Sequence, residues 1–438
     1  MENKSLVQLF IPICIETLLY MLAGIVDTLM LSTIDDQAVG AVGTSNTYIG
    51  MFILMFTIVS TGMMAVMTQN IGAGKIGIAY QARKLGMTFN LIIGGLLSLF
   101  LFFFSRSVLL TIGISEALEA PATAYIRIVG GACFLNALIP IFSGYLRAFG
   151  YTKKPMYATI TGNIVNLVLN SLFLFYFHFG VEGVATATVI SKLVNVSIVM
   201  YLSKKYIHAK ESPERIDNKR LFMQILQIGL PAAMENMLYN IAITLAIRYL
   251  NQMDPEGFNV TARSYAAQIS SFSFAAGSAL GQANGIMTGW RIGKKEFEAC
   301  KTGTRKAWGI GILVAVGLGS LIAFSSPWIL RLFTDNPEMI KVVSKLIWID
   351  VILELGRVTN LIYGNALKTS GDAIFPMVLG IFFMFLCTVV GTYVLGIRLG
   401  LLVVGFYIAL TCDECFRGVG MILRWRSDKW QEKGFVRS

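Results

Sequence analysis

Long apolar segments joined by short charged loops leave this chain few ways to fold. Its 438 residues are 55% hydrophobic and only 14% charged, which is far from the usual mixture of a soluble domain. A helix needs about 20 apolar residues to cross the hydrocarbon core of a bilayer. Twelve segments meet that length: 6–32, 45–68, 86–105, 122–147, 156–178, 182–203, 222–250, 264–288, 307–326, 340–367, 374–396 and 401–424. The sequence therefore predicts an all-α integral membrane protein with twelve transmembrane helices.

The distribution of Lys and Arg predicts the orientation of the chain. If Met1 is cytoplasmic, the loops and helix ends on that side hold 25 Lys and Arg, whereas the opposite ones hold seven. Such an excess marks the cytoplasmic side, so we expect a multi-pass protein of a bacterial cytoplasmic membrane with both termini in the cytoplasm. The first segment is too long for a signal peptide and lacks a cleavage site. The net charge of +11 then faces anionic lipid headgroups, and no nucleic-acid partner is expected.

Three landmarks of the first half recur in the second half at nearly constant spacing. The matched motifs are Pro12-x-x-x-Glu16 with Pro231-x-x-x-Glu235, Ile71-Gly72 with Ile292-Gly293, and Leu146-Arg147 with Leu367-Lys368. Self-similarity at a fixed spacing indicates a repeated architecture. We therefore predict an N-terminal lobe of helices 1–6 over residues 1–203 and a cytoplasmic linker over 204–220. The C-terminal lobe of helices 7–12, with its basic tail, is predicted over 221–438.

The number of helices in each lobe predicts how the lobes are related. Six is even, so both halves enter the membrane from the same side and are parallel, pseudo-symmetric repeats about an axis along the membrane normal. A cleft between two such lobes can open to either side in turn, and a monomer is expected. Channels and scaffolds are also built from repeats, so this feature alone leaves the functional class open.

Three prolines lie within the predicted helices. Pro12, Pro140 and Pro231 each remove a backbone donor, so a kink or local unwinding is expected at each position. Breaks at membrane depth occur where protein or cavity water satisfies the freed carbonyls. A curved packing helix without a functional role explains each proline equally well.

Seven acidic residues lie inside the apolar segments and bear most directly on function. They are Glu16, Asp27, Glu235, Asp350, Glu354, Asp413 and Glu414. A carboxylate in hydrocarbon is costly unless it is paired, hydrated or protonated, so an intramembrane acid is by default a functional-site hypothesis. Basic residues are fewer in these segments, and an excess of negative charge is expected in both lobes. This balance favours a protein that moves something coupled to cations.

Two of the predicted helices carry charged faces. The residues are Asp350, Glu354 and Arg357 on helix 10, and Asp413, Glu414 and Arg417 on helix 12. Within each helix the spacing brings acids and a base onto neighbouring positions. Two charged faces on separate spans most economically meet each other, so a buried ion-pair network is expected. The network either takes part in coupling or only locks helices 10 and 12 together, because loss of one partner of a buried pair is strongly destabilising.

Several motifs resemble those of the multidrug and toxic compound extrusion (MATE) family. They are the run Ile25-Val26-Asp27-Thr28-Leu29-Met30, the run Ala38-Val39-Gly40-Ala41-Val42-Gly43, the Gly72-Ala73-Gly74 loop, and the paired motifs that begin at Leu146 and Leu367. The resemblance extends from about residue 6 to about residue 426. It implies a transporter that moves protons or sodium inward and an organic compound outward, by alternating access between two lobes.

The resemblance also implies a cation site in the first lobe. In the family this site comprises an Asp on helix 1, an Asn and an Asp four apart on helix 5, and a Thr on helix 6. The matching positions are Asp27, Asn166, Asn170 and Thr188. Because Asn170 stands where an Asp is expected, one carboxylate remains, which suits a proton better than sodium. Lys192 lies on the same helical face as Thr188 and is either a counter-charge to Asp27 or Glu16, or a snorkelling or packing lysine.

The second lobe follows the family less closely. NorM-like members place one acid on helix 7 and another on helix 10. Here Glu235 lies one turn earlier than that pattern, and Arg357 occupies the helix-10 position. Glu16, Lys192 and Glu235 therefore join the charged residues of helices 10 and 12 as a possible charge network without assigned ligands.

Other function classes have less support in the sequence. The chain has no Gly-x-Ser-x-Gly or His-Glu-x-x-His motif and only two His, so we expect neither an enzyme nor a metal site. No cofactor is expected beyond a coupling proton or sodium ion. A lipid-linked saccharide flippase of the same superfamily would need a basic cavity, and a non-transporting receptor or scaffold has no need for buried carboxylates in both lobes. A cation-coupled antiporter that exports small organic compounds, cationic or amphipathic, is the leading hypothesis.

Overall fold

The chain divides into two compact units, Met1–Gly229 and Leu230–Ser438. A computed structural model describes residues 4–33, 35–111, 114–209, 212–254 and 257–436. Lys210 and Glu211 of the predicted linker lie outside the described residues, as do residues 1–3 of the predicted N-terminal lobe and 437–438 of the predicted tail.

The described part of the first unit consists of seven α-helices and the beginning of an eighth. Their bounds are α1 Leu6–Ser32, α2 Asp36–Gly72, α3 Ile76–Thr111, α4 Glu116–Tyr125, α5 Phe134–Ala148, α6 Lys153–Ser171, α7 Gly180–Tyr206 and α8 Asn218–Met253. Short π-helical segments, Ile126–Gly130 and Leu172–Tyr176, extend α4 and α6. A capping box starts α1, in which Ser5 and Gln8 each accept a hydrogen bond from the backbone of the other, so two otherwise unpaired amides are satisfied.

The second unit contains the rest of α8 and five further α-helices among its described residues. They are α9 Phe258–Gly293, α10 Phe297–Leu330, α11 Pro337–Ser370, α12 Ile374–Phe383 and α13 Leu402–Arg426. A long π-helical segment, Met384–Arg398, continues α12. Asn336 caps α11 by accepting hydrogen bonds from the amides of Glu338 and Met339 at 3.0 and 3.2 Å. Proline at the first helical position suits this start because no partner for its missing N–H is needed there.

Each of the twelve predicted segments lies in one helical span of this architecture. In the described chain, eight helices are long and apolar enough to cross a membrane, and nine spans result if the bent pair α4–α5 counts as one. The other three, α9, α11 and α13, are less apolar because α11 and α13 carry the charged faces and α9 is rich in Ser, Asn and Gln. Since α11 packs against α9, α10 and α13, these polar helices shield one another.

The fourth predicted span is broken, although not at its proline. α4, with its π-helical extension, and α5 meet at 43° across residues 131–133. Pro140 lies further along, inside a continuous α5, and Pro12 and Pro231 likewise lie inside continuous helices. The helices are therefore not unwound at these prolines, and the alternative expectation of a kink there stays a prediction. The widened turn of the π-helical segment Ile126–Gly130 directly precedes the break, and such turns are a known cause of sharp kinks.

Within the first unit, the beginning of α8 crosses α2 at very short range. A Cβ atom on Gly62 would lie 1.9 Å from the carbonyl oxygen of Ile225, and one on Gly229 would lie 1.8 Å from that of Ile58. Only glycine lets two backbones approach so closely. The first turns of α8 are therefore part of the first unit, while the remainder of this helix belongs to the second.

Candidate functional site

A polar cluster in the first unit joins α1 to α6. The side-chain amide of Asn170 donates to Oδ1 of Asp27 at 2.6 Å and to Oδ1 of Asn166 at 3.2 Å. One amide nitrogen carries two hydrogens, so Asn170 uses both of them to link these groups. Asn166 and Asn170 are one helical turn apart on α6, and both are buried. The structure thus brings together three of the four residues that the family resemblance implies for a cation site.

The fourth residue, Thr188, faces the same region with its hydroxyl already engaged. Its Oγ1 donates to the carbonyl of Val184 in its own helix at 2.9 Å. Tyr125, which the sequence did not single out, lies within electrostatic range of Asp27, and its hydroxyl donates to Oδ1 of Asn46 at 3.2 Å. The polar groups around Asp27 are therefore mostly uncharged.

Lys192 on α7 is the cation that acts on Asp27 through space. Among the described residues, no carboxylate oxygen lies within the 4.0 Å of an ion pair from its ammonium group. Asp27 consequently has a hydrogen-bonded amide and a nearby positive field, without a direct salt bridge in the described chain. A group in this situation can take up or release a proton without breaking an ion pair.

Two buried ion pairs occupy matching positions in the two units. Arg147 Nη2 lies 2.7 Å from Glu16 Oε1, and Lys368 Nζ lies 2.7 Å from Glu235 Oε2. These four residues belong to the repeated motifs of the sequence. In each unit, the Glu of one motif forms an ion pair with the base of another motif. Of the alternatives left open for Lys192, a counter-charge to Glu16 is not the one observed, because Arg147 reaches that carboxylate from the end of α5.

In the second unit, the charged faces of α11 and α13 meet. Arg417 binds Asp413 through two hydrogen bonds, of 2.9 and 3.0 Å, and lies 2.9 Å from Glu414. Glu414 also accepts a hydrogen bond from the Asn360 amide at 3.1 Å. The helices come this close because Gly356 faces the backbone at Glu414 with no side chain between them.

Arg357 completes this network from α11. It forms an ion pair with Glu354 in the same helix, and its Nε lies 3.6 Å from Glu414 Oε1. Glu354 is fully buried, and Asp413, also fully buried, accepts a further hydrogen bond from Thr388 at 3.2 Å. The network ties α11, α13 and the π-helical segment after α12 into one polar interior.

A cavity of about 490 Å³ lies wholly within the second unit and runs along this network. Its charged lining comprises Glu235, Asp350, Glu414, Arg263, Arg357, Lys368 and Arg417. This lining has more bases than acids, so the predicted excess of negative charge does not extend to the cavity wall. In the first unit, the positive charge of Arg147 likewise offsets the predicted excess of negative charge. The side chains of Arg147, Arg263 and Lys368 start near helix ends but reach inward. The count of bases within the predicted spans therefore left them out.

Asp350 differs from the other acids of the second unit. It lines the cavity, is 6% exposed, and has Ser270 beside it. No basic nitrogen of the described residues lies within the 4.0 Å of an ion pair from its carboxylate. Arg357 is within electrostatic range, although two other carboxylates hold its guanidinium.

Sequence reasoning missed four residues that the structure places at these sites: Tyr125, Arg147, Arg263 and Lys368. A signal for two of them was present. The motifs of Glu16 and Arg147 recur together as those of Glu235 and Lys368, and joint recurrence is what a contacting pair would produce. No comparable pattern marked Tyr125 or Arg263.

The sequence of this chain is similar to that of known membrane transporters. The MatE family model matches residues 12–172 and 231–394, which are most of the two units. An uncharacterized transporter, YisQ of Bacillus subtilis (strain 168), is 34% identical over 99% of this chain and 96% of its own length. The probable multidrug resistance protein NorM of Thermotoga maritima is 24% identical over 99% of this chain and 94% of its own length.

Solved structures with the same fold agree with this match. A crystal structure of MATE in the bent conformation has a TM-score of 0.88 at 20% identity and covers 96% of this chain and 94% of its own. An outward-facing multidrug resistance MATE family transporter has a TM-score of 0.87 at 20% identity, with the same coverage. This likeness confirms the prediction of an all-α membrane protein with twelve transmembrane helices in two six-helix lobes.

Proposed function

The chain belongs to the MatE family of transporters, and from that premise we propose that it is a proton-coupled antiporter that exports organic compounds. The family's members are multi-pass membrane transporters and not enzymes. The proposal adds that the coupling ion is a proton in preference to sodium, and that the protein works as a monomer in a bacterial cytoplasmic membrane. It also adds that the exported compounds are cationic or amphipathic, and that no cofactor is needed besides the coupling ion.

The environment of Asp27 carries the choice of ion. Sodium prefers several oxygen ligands with negative charge near it, whereas here one carboxylate is bound to the amide of Asn170. An amide nitrogen that donates to the carboxylate occupies the position where a second acid would supply charge. A proton needs only the carboxylate and no further oxygen ligands or negative charge.

Proton uptake at Asp27 would change the contact between α1 and α6. The hydrogen bond from Asn170 is charge-assisted when Asp27 is ionised, and such bonds are roughly twice as strong as neutral ones. Protonation weakens this bond and also removes the attraction of Lys192. A change at this one carboxyl thus alters how firmly α1 is held within the first unit, which is the kind of local difference that alternating access requires.

The flippase alternative is not favoured. The family match and the relation to NorM support export of drug-like compounds. The receptor or scaffold alternative accounts less well for Asp27, which is half-buried, and for Asp350, which is buried; neither has an ion pair in the described chain.

The test of the proposal is fluorescent-cation transport in inverted membrane vesicles, energised separately by a pH gradient and by a sodium gradient. We expect the pH gradient alone to be sufficient to drive transport of the dye. Asp27→Asn keeps the size and hydrogen-bonding capacity of the side chain but removes its titration. We expect this variant to bind the dye yet to lose nearly all pH-driven transport.

Glu298→Gln is the matched control, because Glu298 is an exposed acid at a surface ion pair with Lys301. It should transport at the wild-type rate. Wild-type transport by Asp27→Asn under a pH gradient would assign coupling elsewhere, and Asp350 would be the next acid to test.

A further inference from the structure

The charges around the second-unit cavity are almost all paired with one another. Lys368 pairs with Glu235, Arg357 with Glu354 and Glu414, and Arg417 with Asp413 and Glu414. Two lining groups stand apart from these pairs. They are Asp350 and Arg263, one acid and one base.

Asp350 offers the cavity a negative charge that needs a partner. Its side chain is more than nine-tenths buried, and an uncompensated buried carboxylate is strongly unfavourable. Arg357, the nearest strong cation, already serves Glu354 and Glu414. The remaining ways to neutralise Asp350 are a proton or a cationic group that enters the cavity.

Arg263 offers the cavity a positive charge of the same kind. It lies near the start of α9, is half-buried, and has its guanidinium 5.8 Å from the centre of the Phe406 ring. No carboxylate oxygen of the described residues lies within the 4.0 Å of an ion pair. An aromatic face holds a guanidinium while its N–H groups remain available, and those groups are arranged to bind a carboxylate in two-point fashion.

The two groups line the same cavity at neighbouring levels of their helices. α9 and α11 run side by side, with Arg357 over Phe274 and with Gly281 and Gly285 against Leu361 and Thr369. At 1.5 Å per residue, this register places Arg263 roughly one helical turn, about 6 Å, from the level of Asp350. Tyr407 lies within electrostatic range of both, and with Phe406 it adds aromatic surface to the same end of the cavity.

We propose that this cavity binds amphipathic zwitterions, with the cationic group of the compound at Asp350 and its carboxylate at Arg263. Phe406 and Tyr407 contact the apolar body of the compound between the two charges. The cavity volume of about 490 Å³ is in the range of small-molecule sites. This inference rests on the proposed export function and narrows its substrate class from cations in general to compounds that carry both charges.

Two xanthene dyes that differ by one methyl group provide the test. Rhodamine 110 carries a free carboxylate beside its cationic ring system, and rhodamine 123 is the methyl ester of the same dye. Binding of each is measured by fluorescence polarisation with the purified transporter in detergent, where no ion gradient is involved. We expect the wild-type protein to bind rhodamine 110 more tightly than rhodamine 123.

The decisive variant is Arg263→Gln. It should weaken rhodamine 110 binding by roughly ten- to a hundredfold, as expected for loss of a charge-assisted hydrogen bond, and leave rhodamine 123 binding unchanged. Arg398→Gln is the matched control, since Arg398 is an exposed arginine bonded to Tyr393 and does not line the cavity. It should affect neither dye.

Equal weakening of both dyes by Arg263→Gln, no weakening of either, or no binding of either dye to the wild-type protein would overturn the inference. Transport measured in vesicles distinguishes failure of the zwitterion site from failure of the proposed proton-coupled antiport. Dye-selective binding without pH-driven transport would contradict the proton antiport and leave the zwitterion site intact. Efficient pH-driven transport of both dyes at equal rates, without a preference for the dye with a free carboxylate, would support the proton antiport and contradict the zwitterion site.

Discussion

At the scale of single side chains, the acids inside the predicted membrane spans fall into two kinds. Glu16 and Glu235 each contact a base at 2.7 Å, and such groups hold helices in place. Asp27 and Asp350 have polar neighbours but no ion-pair partner among the described residues, and such groups can respond to an ion or a substrate. Of the seven intramembrane acids, which all lie among the described residues, each unit has one of the second kind, and we therefore assign ion coupling to Asp27 and substrate binding to Asp350.

The identity of residue 170 is expected to decide between sodium and protons. Asn170→Asp places a second carboxylate beside Asp27, and two adjacent acids cannot both ionise unless a cation or a proton is shared. We expect sodium chloride, compared with choline chloride at pH 8, to raise the melting temperature of this variant by several degrees. The wild-type protein should show little difference between the two salts.

Asn163→Asp is the control for that experiment. Asn163 lies on the same helix, and its amide donates to the carbonyl of Leu19 at 2.9 Å, away from Asp27. A sodium response in both variants, or in neither, would contradict the assigned role of residue 170.

The matched ion pairs should behave as structural elements of each unit. Glu16→Gln leaves the guanidinium of Arg147 without its carboxylate in a buried position, a change that commonly costs about 3–5 kcal/mol. We expect a clear loss of melting temperature in detergent, partly restored in the double variant Glu16→Gln with Arg147→Gln. The same pattern is expected for Glu235 and Lys368. A double variant less stable than either single one would argue against a direct pairing.

At the scale of helices, the alternation of apolar segments with charged loops predicted the number and approximate position of the spans, although α9, α11 and α13 are less apolar than the other nine. The charged faces of α11 and α13 were also predictable, because charged residues at helical spacing in apolar segments have few places to go. Ion-pair partners that lie far apart in the sequence were not predictable in this way. Arg147, for example, lies 131 positions from Glu16. The break in the fourth span was missed because a π-helical turn leaves no strong residue signature, whereas Pro140 does.

The contact between α2 and α8 is expected to depend on the absence of a side chain. Gly62→Ala would place a Cβ atom against the backbone of Ile225, so the helices must move apart. We expect a large loss of melting temperature and a lower yield of folded protein. Gly95→Ala on α3 is the control, since nothing lies within 4 Å of its Cβ position, and helix propensity alone favours alanine there by up to about 1 kcal/mol. Similar melting temperatures for the two variants would contradict the close crossing.

At the scale of the whole molecule, the orientation expected from the Lys and Arg distribution can be tested by labelling. In a variant without the native cysteines, Lys219→Cys should react with a membrane-impermeant maleimide in inverted vesicles only. Ser115→Cys, at the start of α4, should react in right-side-out cells only. Both positions are exposed, so a lack of reaction reports the side of the membrane. The opposite pattern would overturn the predicted cytoplasmic position of both termini.

The paired Glu–base contacts also bear on the history of the chain. Each half contains both partners at corresponding motif positions, which is the arrangement expected if a half-length ancestor that carried the pair was copied and fused. The two acids are both Glu, whereas the bases differ, Arg147 in one half and Lys368 in the other. On that account, a six-helix ancestor held its own helices together with one such pair. Asp27 and the α11–α13 network lie outside the shared pair and distinguish the two halves.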